Sequence, residues 1–201
     1  MNRTDRATPG TTEPPPVESA PPAPPAPLFI VVAILIGVAS GFGLLFSGYP
    51  EALGPNVPMT ALGIATLCYL AAAVTGLRWV AWLVVVLGTL LVFGAELLDL
   101  PRWAALAAAG FVLLVVGLIR RPRATTPQAI AMLGFFGVAV AALALDPRVG
   151  LALAGLALAA HAGWDVVHYR RNVVVGRSLA LWCMGLDLLL GLVCVGIAIA
   201  G

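Results

Sequence analysis

Seven apolar stretches follow one another along this chain, each close to the length that crosses a bilayer and separated by short breaks. A helix needs about 20 predominantly apolar residues to span the hydrocarbon, with a range of roughly 17–25. By that rule spans are expected at residues 28–47, 58–77, 79–98, 103–119, 127–145, 149–167 and 179–200. Lipid offers nothing to bond a bare peptide group, so each run must satisfy its own backbone as a helix. The expected fold class is therefore all-α, a seven-transmembrane-helix bundle. Composition agrees: 61% of residues are hydrophobic and 10% charged, where soluble domains carry about 25% charged residues.

Residues 1–27 differ in kind. They are rich in Pro, Thr, Glu and Ala, with little to bury, and read as a disordered, proline-rich tail. The order of charge, apolar core and small residues is not that of a cleavable signal peptide. Domain organisation is thus a tail over 1–27 and an integral membrane unit over 28–201. Arginine sets the orientation. Arg3, Arg6, Arg78, Arg120, Arg121, Arg123, Arg170, Arg171 and Arg177 would share one side, against Arg102 and Arg148 on the other. The side with more arginine is cytoplasmic by the positive-inside rule, so the tail should be cytoplasmic and Gly201 external. Localisation follows as multi-pass in the cell membrane, with the lipid bilayer as the main partner. Tyr49, Trp79, Trp82, Trp103 and Trp182 sit near span ends, where an interfacial aromatic belt would place them.

Several function classes fall away. All eleven basic residues are arginine, so no lysine exists to hold retinal as a Schiff base or to act as a nucleophile. A net charge of +2 is too small to suggest nucleic acid as a partner. Cys68, Cys183 and Cys194 lie inside apolar runs without a CxxC spacing, and read as small packing residues. Small residues at four-residue spacing, Gly37 with Gly41, Ala39 with Gly43 and Ala159 with Gly163, suit close helix packing in lipid.

Chemistry concentrates in the sixth and seventh spans. At 100° per residue, His161, Asp165 and His168 fall within roughly 60° of one another on a helix. Asp187 lies inside the next span at a similar depth. An acid near a span centre costs about 2.5–3.5 kcal/mol on insertion scales and normally finds a buried partner. His161 or Asp165 is the natural partner for Asp187. Cys183, Asp187 and Cys194 share a face of the last span. Imidazole and carboxylate together could hold zinc or iron. The candidate metal ligands are His161, Asp165, His168 and Asp187, and the candidate catalytic acids are Asp165 and Asp187. A second acidic group, Glu96 and Asp99 with Glu51, lies toward the opposite face near Arg102. It reads either as a salt-bridged helix end or as an outer vestibule.

Trp164, Asp165, His168, Arg170, Arg177 and Asp187 carry a resemblance. The segment from His161 to Gly191 resembles a group of small bacterial multi-pass membrane proteins that share a Trp-Asp-x-x-His segment, an arginine-bearing loop and an aspartate in the last helix. That resemblance implies a membrane fold and brings no activity. The zinc-binding seven-helix receptor and ceramidase superfamily fits less well, because only two histidines exist here and both lie in one span. Three functional expectations follow. The first is a metal-dependent or acid–base membrane enzyme on a lipid-soluble substrate. The second is a small proton-coupled transporter or channel, and the third a structural subunit whose polar residues only lock helices together.

Overall fold

The computed structural model describes residues 26–47, 54–120 and 122–200. They form seven helices, α1 (Pro27–Ser47), α2 (Asn56–Thr75), α3 (Val80–Leu97), α4 (Arg102–Arg120), α5 (Thr125–Ala142), α6 (Pro147–Arg171) and α7 (Arg177–Ala200). All seven are long and apolar enough to cross a membrane. At 1.5 Å per residue the shortest reaches about 27 Å and the longest about 37 Å, which matches a hydrocarbon core of about 30 Å. Expected and observed spans differ by no more than four residues at any end. The tail expectation falls almost wholly on residues outside those described, as do Glu51 and Tyr49, while Pro27 opens α1.

Short connections force consecutive helices to alternate in direction. Arg78, Arg120, Arg123, Arg170, Arg171 and Arg177 therefore gather at one end of the bundle, here called the arginine-rich end. The sixth helix runs further than its apolar stretch alone would carry it. Asp146 caps its start by accepting from the Arg148 amide at 3.0 Å, with Pro147 in the first turn. Its final turn includes His168, Arg170 and Arg171 and closes on Asn172 in the left-handed region.

At the centre stands α2. It packs against α3, α4, α5, α6 and α7, and most of its side chains are buried. Its run of Ala71, Ala72 and Ala73, with Gly63 and Ala65, keeps its girth small enough for five neighbours. By contrast α1 leans on α7 and packs little on α2 or α3. Most of its side chains face outward, with Gly37 and Gly41 buried.

Two glycine contacts set the position of α7. A Cβ on Gly185 would strike the Ile34 carbonyl of α1, and one on Gly191 would lie 2.6 Å from both the Ala159 amide nitrogen and the Gly155 carbonyl of α6. Backbone meets backbone at both places, so neither can give way locally. The expected packing roles of Gly37, Gly41 and Ala159 are thus realised against α7. Gly43 and Gly163 face open space instead.

Replacing Gly191 by Ala should drive α6 from α7 and lower stability by about 1–3 kcal/mol, the usual range for overpacking. Gly196→Ala, where nothing lies within 4 Å, should leave thermal unfolding in detergent unchanged. Equal midpoints for the two variants would contradict this packing.

Candidate functional site

Because α6 and α7 are antiparallel and held close by Gly155 and Gly191, residues near their middles face each other. His161 Nδ1 lies 2.8 Å from Asp187 Oδ2. The pairing expected for the lone acid of the last span is present. From one helical turn along α6, Asp165 Oδ2 stands 3.8 Å from the same Nδ1. The third helix of the site is α2, whose Tyr69 hydroxyl donates to Asp165 Oδ1 at 2.5 Å. A short O–H···O contact of that length is typical of a hydroxyl held by a carboxylate. His161 and Asp165 are completely buried, and Asp187 is 1% exposed.

Edges of aromatic rings close the remaining sides. Tyr69 and Phe135 meet the His161 ring in edge-on geometry at 5.6 and 5.2 Å between centroids. Two polar atoms inside this shell have no hydrogen-bond partner, His161 Nε2 and Asp165 Oδ2. Unpaired buried polar atoms are costly, about 1–3 kcal/mol each and more where the group is charged. One donor atom from each of His161, Asp165 and Asp187 lies within 4.8 Å of the other two. An imidazole and two carboxylates so placed could hold a divalent cation or share protons.

His168 does not join them, although its ring faces the same way and is buried. Its surroundings fix its tautomer. The Trp164 carbonyl, 2.9 Å from Nδ1, can only accept, so Nδ1 carries the hydrogen. Trp164 Nε1 donates to Gln128 Oε1 at 3.1 Å, which turns the Gln128 amide so that its Nε2 donates to His168 Nε2 at 3.0 Å. Both ring nitrogens are engaged. His168, expected from the sequence as a metal ligand, is placed outside the His161–Asp165–Asp187 group and is tied to α5 by a closed bonding cycle with Gln128 and Trp164. Its ring stacks edge-on against Tyr69 at 4.7 Å, which steadies the phenol that holds Asp165.

A cavity of about 660 Å³ reaches this cluster from the side away from His161. It runs between α1, α2, α3 and α7, and Asp187, Cys68 and Cys183 line its deep part. Near the floor Trp82 packs on Trp182 and its indole donates to Ser178 at 3.2 Å, which ties α3 to α7 on the arginine-rich side. The other limit of the cavity is lined by Ser47, Val57, Glu96 and Arg102. From Val85 to Glu96 the wall follows roughly 16 Å of helix. Glu96 forms an ion pair with Arg102 there. Asp99, grouped with Glu96 from the sequence, sits instead in the exposed turn after α3 with a left-handed backbone (φ 54°) and does not line the cavity.

Sequence reasoning missed Tyr69 and Gln128 as parts of the site. Both carried a signal. Tyr69 lies deep inside a span rather than at an interface, and Gln128 opens a span with an amide that needs partners. Cys183 and Cys194 do lie on the buried face of α7 with Asp187, as their spacing implies, but only Cys183 reaches the cavity. No known protein family, curated protein or solved structure matches this chain.

Tyr69→Phe removes the hydroxyl that donates to Asp165 Oδ1 and leaves that buried oxygen without its donor. It should cost about 1–3 kcal/mol of stability, measured by unfolding in detergent. Tyr169→Phe, at the arginine-rich surface, should cost far less. Similar losses in the two variants would contradict the buried bond.

Proposed function

We propose that this chain is an enzyme of the cell membrane in which Asp187, backed by His161, performs acid–base chemistry on a lipid-soluble substrate. The observation that carries the reading is the cavity: apolar along its walls, it ends on the one acid that has an imidazole bonded behind it. In this reading the N-terminus is cytoplasmic and the C-terminus external, so the cavity opens in the outer half of the bilayer. Substrate meets Asp187, which takes or returns a proton. The imidazole behind it stays neutral, its Nδ1–H donating to Asp187 Oδ2 both before and after the transfer, so the proton taken from substrate rests on the Asp187 carboxyl until it is returned. Asp165, held by Tyr69, orients the ring. His168 holds Tyr69 in place and takes no part in the proton transfer.

The same three side chains also suit a metal. Zinc or iron bound by His161, Asp165 and Asp187 would satisfy Asp165 Oδ2, which is buried without a partner. Bound there, it would supply Lewis acidity or an activated water.

A second reading is a proton-coupled transporter. The Glu96–Arg102 pair at the far limit of the cavity favours it, because ionisable groups then occur at two depths along one path. A purely structural role for the polar residues explains the His161–Asp187 pair and leaves the cavity without a purpose.

Lipid profiles of cells making wild type or Asp187→Asn discriminate these readings. The enzyme should consume one lipid-soluble compound and accumulate another only in the wild type, and elemental analysis of the two proteins, with His161→Ala, shows whether stoichiometric zinc or iron accompanies activity. Identical profiles, with pH-driven flux through wild-type protein in liposomes, would overturn the enzyme in favour of the transporter.

A further inference from the structure

The charge around the cavity is uneven along its length. Three ionisable acid or base side chains line it: Glu96, Arg102 and Asp187. Glu96 and Arg102 offset one another at one limit. Toward the floor the polar groups are the Asp187 carboxyl, the Cys68 and Cys183 thiols and the Ser40 hydroxyl, which accepts from the Trp182 indole at 3.1 Å, with no guanidinium or amide side chain among the described lining residues at that end. A phosphate or carboxylate placed there would meet Asp187 in a medium of low dielectric, where like charges repel strongly. An ammonium group would meet an opposite charge and offer N–H donors to it. The indole of Trp182 lines the same part of the cavity, and aromatic faces attract cations. Thr60 Oγ1, in the wall, has no hydrogen-bond partner.

How a ligand arrives is set by the packing of α1. That helix is fixed to α7 at Gly37 and Gly41, while α3 packs on α2 and α4. Lining residues Gly43 and Leu44 of α1 and Val92 and Phe93 of α3 border the cavity on two sides, and the two helices make no extensive contact that would seal it between them. Its volume lies inside the range of about 300–1,000 Å³ common for small-molecule sites.

We propose that the cavity binds a lipid-soluble amine, an apolar body with an amino group seated against Asp187, admitted sideways from the bilayer between α1 and α3. This rests on the reading of Asp187 as the group that meets substrate, and it names the substrate's chemical class.

Three photoactivatable alkyl probes of equal chain length, ending in an amine, an alcohol or a carboxylate, test it on the full-length protein in lipid nanodiscs. Crosslinks are read by peptide mass spectrometry at Ala65, Cys68 and Cys183, buried side chains that bulk lipid does not touch. The amine should label this floor at least tenfold more than the carboxylate, with the alcohol between. Asp187→Asn should abolish the preference for the amine while alcohol labelling persists, which shows that the cavity still forms. Absent floor labelling, equal labelling by all three probes, or any order in which the amine is not first would overturn the proposal. A lipid profile that still depends on Asp187 alongside such a result would sink the amine and leave the enzyme standing.

Discussion

A carboxylate in the middle of a membrane has to be neutralised or shared, and the contact between Asp187 and His161 is how this chain does it. Everything near the site is arranged to make that contact possible. It requires two antiparallel helices at backbone-contact distance, which Gly155 and Gly191 allow. It requires the imidazole to keep one orientation, which Phe135, Tyr69 and Asp165 impose from three directions. Because Asp165 is itself buried, it needs a donor from outside α6, and Tyr69 brings α2 into the site. The central position of α2 is thus tied to the polar cluster as well as to its small side chains.

A second polar unit lies one to two turns closer to the arginine-rich end. His168, Gln128 and Trp164 satisfy one another completely, whereas the first cluster keeps two buried atoms without partners. That difference separates a structural lock from a site. Closed cycles of donors and acceptors rigidify a core; unpaired buried groups next to a cavity are where a ligand, ion or proton has something to gain. Rigid packing around the aspartate and an open space before it are what the proposed acid–base chemistry would need.

Much of this could be read from the sequence, and for physical reasons. Hydrophobic length alone locates membrane helices, because lipid permits no other way to satisfy the backbone of a single span. The 3.6-residue repeat put His161, Asp165 and His168 on one face, and all three are buried. The cost of a lone buried acid pointed from Asp187 to His161. What could not be read was the outcome of competition among partners. Helical phase gives direction but not the identity of the group met there, so His168 could not be told from a ligand until Gln128 and Trp164 were seen to occupy both its nitrogens. Nor does hydropathy distinguish a helix facing lipid from one at the centre: α2 is the less hydrophobic by mean hydropathy, 1.8 against 2.7 for α1, yet it is the buried one. The cavity was illegible for the same reason, since it is made by where α1 does not pack.

The most direct measurement of the central contact is a double-mutant cycle on His161→Ala and Asp187→Asn, followed by reversible unfolding in mild detergent. A direct buried contact predicts that the two losses are not additive, with a coupling energy of about 1–3 kcal/mol, as found for residues that share a hydrogen-bonded network. Losses that add to within about 0.5 kcal/mol, the behaviour of independent sites, would mean that the two side chains do not meet.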